Sequence, residues 1–499
     1  MSTTTSATMG MKPLVWKPLA AGGLGLALMF GLYAVTTISF LDSALVAAAA
    51  ASALWWIKGR DRLPAVLNRL SLAALAVAVV ARVIQGPRWQ LAMWELLVAV
   101  VATLAGLRMW RPGHSIKLTR IGGRAVLVVV MLIGSLGLLM EPVPVLPEPT
   151  GEFEVGSQAF HWSDPSRAEV LTADTSDNRE VVAQVWYPSD GDEGAPTDYV
   201  GTSTAASLMD GVPKAVFEAY DDVNTHSTDL SDVSRDRDRW PVLLFSPGLG
   251  VARQSYTALS VELASRGYVV VALSHPYDSP ASELLDGEVV TTGDASKAGA
   301  KENQIDLRAA DSMFVLDQLH ELAGTNPHSP LIDHLDLDHV GIFGHSFGGA
   351  TAVQAIASDP RFLAGLNIDG SLFRDDIPAL DRPFLWLESG GQGASAADRD
   401  ALLDRLRAGG ELVKIEGTVH QSFSDYAAYF TPLGRQLVGR IPMIGFGTLS
   451  ADEMAPMTAD VIAAFFGPIL GGSDNGDLTA VSERYPLVSV DRTVGTDES

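Results

Sequence analysis

One ten-residue segment, Val340-Gly-Ile-Phe-Gly-His-Ser-Phe-Gly-Gly349, constrains this chain more than any other. A short apolar run leads into Gly344-His345-Ser346-Phe347-Gly348, and a helix-forming run, Ala350 to Ile356, follows at once. A G-x-S-x-G pentapeptide between a buried strand and a helix places its serine on a sharp turn with the hydroxyl exposed. Gly344 and Gly348 are mechanical in such a turn, because strained dihedrals and close approach of helix to strand leave no room for a Cβ. The surrounding chain must then supply a sheet whose central strands are buried on both faces.

It does so from Gly151 onward. Strands are expected at 180–187, 242–245, 268–273, 340–343, 362–368, 384–387 and 411–415, with helices near 254–266, 302–322, 347–357, 397–408 and 453–467. The continuous apolar runs Val242 to Phe245 and Val269 to Leu273 suit central parallel strands, and the alternation of strand and helix gives an α/β fold. Residues 190–236, rich in Asp, Ser and Thr, read as an insertion covering the sheet's edge or the site. The acidic tail 473–499 is expected to be largely flexible, with Tyr485 to Val490 able to dock.

Residues 1–140 follow different rules. A membrane-spanning helix needs about 20 mostly apolar residues, and five stretches qualify, at 18–37, 41–57, 64–84, 90–107 and 122–140. Charge divides the chain at the same place: residues 1–150 carry a net +8 and the remainder −32. Lys12, Lys17, Lys58, Arg60, Arg62, Arg108, Arg111 and Lys117 sort to one side of the ladder. By the positive-inside bias, the N-terminus is cytoplasmic and the domain beyond residue 140 lies outside the cell membrane. Arg82 and Glu95 read as an interfacial pair or as snorkelled side chains that lock two helices together. Pro142, Pro144, Pro147 and Pro149 make 141–150 an extended tether to a domain at 151–472. The acidity of that domain excludes nucleic-acid binding as its main role, and the absence of cysteine excludes thiol catalysis and cysteine-ligated metals.

A serine hydroxyl is a poor nucleophile until a base takes its proton, and on this fold the partners follow in the order serine, acid, histidine. Of ten histidines, only His420 follows Ser346; it stands in Gly417-Thr-Val-His-Gln-Ser-Phe423, just past an expected strand. Eleven carboxylates lie between the two. The acid must accept a hydrogen bond from the far imidazole nitrogen at the same sheet edge. Asp369, ending Asn367-Ile-Asp369, fits best, with Glu388, ending Phe384-Leu-Trp-Leu-Glu388, as the alternative. Two backbone amides must face the developing oxyanion. Phe347 supplies one, and Leu249 in Ser246-Pro-Gly-Leu-Gly250 the other, since Pro247 has no N–H. His275 precedes the elbow and reads as a structural hydrogen-bonding residue.

Ser246-Pro-Gly-Leu-Gly250, Gly344-His-Ser-Phe-Gly-Gly349, Asn367-Ile-Asp369 and Val419-His-Gln-Ser-Phe423 together resemble the plasma-type platelet-activating factor acetylhydrolases, calcium-independent phospholipases A2 of the α/β-hydrolase fold. Gln184-Val-Trp-Tyr-Pro188 and Pro149-Thr-Gly151 are similar to the bacterial branch, in which N-terminal membrane helices also occur. Pro247 departs from the histidine that many members carry there. The resemblance covers about residues 149 to 470 and implies Ser346 as nucleophile, Asp369 as acid, His420 as base, and Leu249 and Phe347 as oxyanion donors. Together with the apolar spans, it implies a membrane-anchored esterase, without metal or organic cofactor, acting on short or oxidised acyl esters such as the sn-2 ester of a phospholipid. Acyl transfer, polyester or small-ester hydrolysis, and a non-catalytic membrane sensor are the alternatives that the same residues leave open.

Overall fold

The computed structural model describes residues 40–57, 65–85, 88–110, 121–174, 176–191, 194–200, 220–293, 301–323, 325, 331–376, 378–391, 393–441, 445–472 and 477–493. The chain divides into two units, one formed by Met1–Pro142 with Phe430–Gly434 and one by the rest.

In the first unit, helices α1 (Phe40–Ile57), α2 (Ala65–Gln85), α3 (Ala92–Trp110) and α4 (Ile121–Gly137) stand where four of the five apolar stretches were expected. The first stretch, 18–37, and most of the basic turns lie outside the described residues. The alanine-rich α1 lets helices approach closely, and Ala49, Ala53, Ala74, Trp94, Leu97 and Val101 form the core. Arg82 forms ion pairs with Asp42 and, at 2.8 Å, with Glu95, so the expected Arg82–Glu95 pair is present and Asp42, wholly buried, joins it. The outer faces are apolar and exposed, Val83 to 81% and Leu136 to 62%. Among the described residues, one helix is long and apolar enough to cross a membrane by length and composition, Ala451–Leu470, and most of it is buried inside the second unit.

The second unit is built on an eleven-stranded sheet. Its strands are β1 (Glu154–Ala168), β2 (Asn178–Ser189), β3 (Ala195–Pro196), β4 (Thr228–Asp229), β5 (Trp240–Ser246), β6 (Val269–Ser274), then, past the separate hairpin β7 (Ala281–Glu283) and β8 (Val289–Thr291), β9 (Leu335–His345), β10 (Phe362–Ile368), β11 (Phe384–Ser389), β12 (Gly410–Ile415) and β13 (Val488–Thr493). Their order is β13-β12-β11-β10-β9-β5-β6-β2-β1-β4-β3, and the six from β12 to β6 are mutually parallel. Alternate residues of the central strands feed two cores. Val242, Leu244, Val269 and Val271 face α6 (Lys301–Leu322) and α7 (Phe347–Ser358), while Leu243, Phe245, Val270 and Ala272 face α5 (Thr257–Ser265) and Ala451–Leu470. Burial on both faces is what their unbroken apolar sequence requires.

Three differences from the sequence reading have physical causes. Strand β1 was not expected, because Gly156, Asp164 and Pro165 interrupt its alternation; the structure absorbs them with a register shift between Asp164 and Ala168 against β2. The described ends of the insertion 190–236 form β3 and β4 and extend the sheet beyond β1. The tail is more regular than expected: 478–484 form a helix capped by the Asp477 side chain, and Val488–Thr493, overlapping the segment expected to dock, pairs antiparallel with β12. The pairing covers what would otherwise be the open edge of β12.

A buried carboxyl pins α5. Asp425 accepts hydrogen bonds from the amides of Thr257 (3.0 Å) and Ala258 (3.3 Å) and from the Tyr199 hydroxyl (3.2 Å). Burial outweighs these bonds and pushes the carboxyl up to about 7. A folded-state value above the unfolded one means that the contribution to stability is full below about pH 4 and lost as pH rises through 7. Relative to Asp425→Asn, the wild-type protein should therefore lose about 2–4 kcal/mol between pH 4 and 8. Unfolding midpoints of the two proteins at several pH values test this; a difference independent of pH contradicts it.

Candidate active site

The carboxyl ends of β9, β10 and the loop after β12 meet at one point. Ser346 follows β9 with φ 56° and ψ −120°, a conformation that L-residues rarely hold. The Ser346 amide donates to the Ile368 carbonyl at 2.8 Å, fixing the turn against β10. A Cβ on Gly344 would strike the Gly348 backbone, and one on Gly348 would strike the Ser246 carbonyl, so both glycines are required by contact as the sequence implied.

Asp369 sits one strand over, also at positive φ (51°). Asn367 shapes its turn: the side chain donates to the Gly370 carbonyl (2.7 Å) and accepts from the Gly370 amide (2.8 Å). The Asp369 carboxylate accepts from the Ser389 amide at 2.9 Å. Burial alone would raise this carboxyl, but the hydrogen bonds from His420 and Ser389 hold it below the usual carboxylate range. His420 opens a short 3-10 turn, His420–Phe423, braced by Ser422, whose hydroxyl accepts from the Val419 amide (2.9 Å) and donates to the Phe446 carbonyl (2.8 Å).

These three elements bring the side chains into line. His420 Nδ1 lies 2.7 Å from Asp369 Oδ2, and His420 Nε2 lies 2.8 Å from Ser346 Oγ. With Asp369 ionised, Nδ1–H donates to the carboxylate and Nε2 is left to accept from the serine. Glu388, the alternative acid, is not brought to His420; it pairs with Arg399 at 2.9 Å, because its position on β11 turns it toward α8 (Ala396–Leu403). Phe347 is the first residue of α7, where amides lack an intrahelical partner. Leu249 lies on the loop after β5 and is 41% exposed.

Residues that the sequence did not single out hold that loop. Arg308, fully buried on α6, donates to the Pro247 carbonyl (2.7 Å) and pairs with Asp278. Tyr256 accepts from the Gly248 amide at 3.3 Å. His275, read as structural, is wholly buried; it bonds Ser246 Oγ (3.0 Å) through Nε2 and Asp311 (2.8 Å) through Nδ1. Burial and the nearby Arg308 cation push His275 down to about 4 and keep it neutral. No local motif announces these partners, which come together only when the strands assemble. A cavity of about 430 Å³ lined by Phe384, Gly410, Phe465 and Leu478 lies at the opposite, amino-terminal ends of β11 and β12 and has no part in this chemistry.

The fold has a solved counterpart. A ferulic acid esterase from Streptomyces cinnamoneus is similar with a TM-score of 0.58 and 27% identity, over 69% of this chain and 98% of that one. Fold and relatives together define a hydrolase with the α/β-hydrolase architecture. Residues 140–445 match the family model for platelet-activating factor acetylhydrolase, isoform II, and the chain belongs to that family. A probable 1-alkyl-2-acetylglycerophosphocholine esterase from Arthroderma benhamiae is 27% identical over 374 residues, 69% of this chain and 93% of its own. The platelet-activating factor acetylhydrolase of Bos taurus is 29% identical over 223 residues, 38% of this chain and half of its own.

Proposed function

We propose that the protein is a membrane-anchored serine esterase that cleaves short or oxidised acyl esters, including the sn-2 ester of a phospholipid. The observation that carries this reading is the hydrogen-bonded line from Ser346 through His420 to Asp369 on a strained elbow. Ser346 Oγ attacks the ester carbonyl while His420 takes its proton. Asp369 holds the imidazole tautomer and stabilises the imidazolium. The amides of Leu249 and Phe347 stabilise the oxyanion. His420 then protonates the leaving alcohol, and water, activated by the same imidazole, releases the acid and restores Ser346.

Relatives that carry names of acetylglycerophosphocholine esterases support the lipid substrate. The apolar, exposed outer faces of α1 to α4 support anchoring in the cell membrane, and the basic residues Lys58, Arg60, Arg62, Arg108 and Arg111 support a cytoplasmic N-terminus with the catalytic domain outside. Tethering beside a bilayer raises the effective concentration of lipid. A second reading, hydrolysis of small carboxylic esters, is supported by the ferulic acid esterase neighbour.

A substrate panel separates the two. The full-length protein is given a phosphatidylcholine with a short sn-2 acyl chain, p-nitrophenyl acetate, butyrate and octanoate, and a feruloyl ester. Release of the sn-2 acid is the expected result; turnover of only the nitrophenyl or feruloyl esters would sink the phospholipase reading and leave a general esterase.

A further inference from the structure

The residue before the elbow serine, His345, is buried to 1% exposure and lies beside the chemistry without facing it. Its ring is 4.6 Å from that of His420, centroid to centroid. Both of its nitrogens are engaged. Nε2 is 2.8 Å from the backbone carbonyl of His420, and Nδ1 is 2.8 Å from the Tyr256 hydroxyl. A carbonyl only accepts, so Nε2 carries the proton. The neutral ring then has a bare Nδ1, which accepts from the Tyr256 O–H. The Tyr256 oxygen is left to accept, and it receives the Gly248 N–H at 3.3 Å. Every donor and acceptor in this series is therefore fixed: Gly248 amide to Tyr256, Tyr256 to His345, His345 to the His420 carbonyl.

The series joins two loops far apart in sequence. At one end it grips the Pro247–Gly248 peptide, whose carbonyl is held on the other side by Arg308 at 2.7 Å. A trans peptide has its carbonyl and amide antiparallel, so the two grips fix the plane of the peptide immediately before the Leu249 amide. At the other end it grips the backbone of the residue that carries the imidazole. We propose that Tyr256 and His345 are positioning residues that hold the Leu249 amide and the His420 imidazole in one mutual geometry. This rests on the reading of Ser346, His420 and Asp369 as the catalytic groups. Neither residue touches the reacting atoms; both act through the loops they hold, and a displacement of about 1 Å at such groups costs on the order of a hundredfold in rate.

Three substitutions cut the series at different links. Tyr256→Phe removes the central hydroxyl. His345→Asn keeps an acceptor near the Nδ1 position and loses the donor to His420; His345→Gln keeps a donor near Nε2 and loses the acceptor for Tyr256. Each full-length variant, with wild type, Ser346→Ala and the Tyr256→Phe/His345→Asn double variant, is assayed for kcat and KM on p-nitrophenyl acetate and for labelling rate by a fluorophosphonate. Thermal unfolding reports the fold. We expect kcat and labelling to fall by about tenfold to a hundredfold, with KM changed less than about threefold, in each folded single variant. The double variant should lose little more than the worse single one, because a cut series has no second link to lose.

Single variants with wild-type kcat and labelling overturn the proposal, as do losses that multiply in the double variant, which would mark two independent packing defects. Should Tyr256→Phe fail to fold, the two His345 variants carry the same comparison, and equal wild-type kinetics in both overturn it. Failure of the underlying reading looks different: a wild type that is itself unlabelled, or turnover that survives in Ser346→Ala, removes the serine mechanism and this proposal with it.

Discussion

Ser346→Ala is expected to abolish turnover of every ester that the wild-type protein cleaves, lowering kcat by at least about 10⁴-fold, and to abolish labelling by a fluorophosphonate. The elbow backbone is held by the Ser346 amide to Ile368 and by the contacts of Gly344 and Gly348, none of which uses the hydroxyl, so the variant should fold normally. His420→Ala should cost about as much, because groups that act as a unit fail together. The acid is tested by a contrast. Asp369→Asn keeps the size of the side chain but offers His420 Nδ1 an amide in place of a carboxylate, which favours the wrong tautomer; about 10⁴-fold should be lost from kcat. Glu388→Gln, which removes only the pair with Arg399, should leave kcat within about twofold. Equal losses at the two positions, or none at Asp369, would contradict the assignment of the line from Ser346 to Asp369.

The elbow was legible because its constraints are local. Strand, glycines, serine and helix are consecutive, and the chemistry of a sharp turn dictates each of them. His420 was legible by elimination, since it alone among the histidines follows Ser346. Strand ends offer both Asp369 and Glu388, and the sheet register separates them: Asp369 follows β10, the neighbour of β9, while Glu388 pairs on β11 with Lys414. What escaped was of two kinds. Strand β1 and the strand at 488–493 lack the unbroken apolar runs of central strands, because each lies toward the sheet's margin, where fewer faces are buried. Tyr256, Arg308 and Asp311 escaped because their partners are remote in the chain; Tyr256 and His345, for example, are 89 residues apart. Such side-chain networks are a consequence of topology and leave no periodic trace in the sequence.

Asp311→Ala is expected to destabilise the fold at neutral pH by cutting one of those networks. Asp311 is wholly buried and accepts from Arg179 Nη2 (2.6 Å) and Nε (3.1 Å), from Arg167 (2.7 Å) and from His275 Nδ1 (2.8 Å). Burial would raise this carboxyl, yet the Arg179 cation and the bonds from His275 and Arg179 hold it far below the usual range. A depressed folded value means that the stabilisation is present at neutral pH and lost only as pH falls through the folded value. Removing one partner of a buried pair leaves the other charge uncompensated, at a cost of about 3–5 kcal/mol. Here Arg179 keeps Glu169 at 2.6 Å, which places the expectation toward the lower end. Unfolding midpoints in denaturant at neutral pH should show a loss of about 3 kcal/mol, against less than about 1 kcal/mol for Arg167→Gln, whose side chain is partly exposed. His275 also loses the acceptor that fixes its tautomer. Its Nε2 then no longer reliably receives Ser246 Oγ, at the base of the loop that carries Leu249. Activity should therefore fall even under conditions where Asp311→Ala remains folded, through kcat rather than KM, because the loop it disturbs carries Leu249, whose amide is the proposed oxyanion donor.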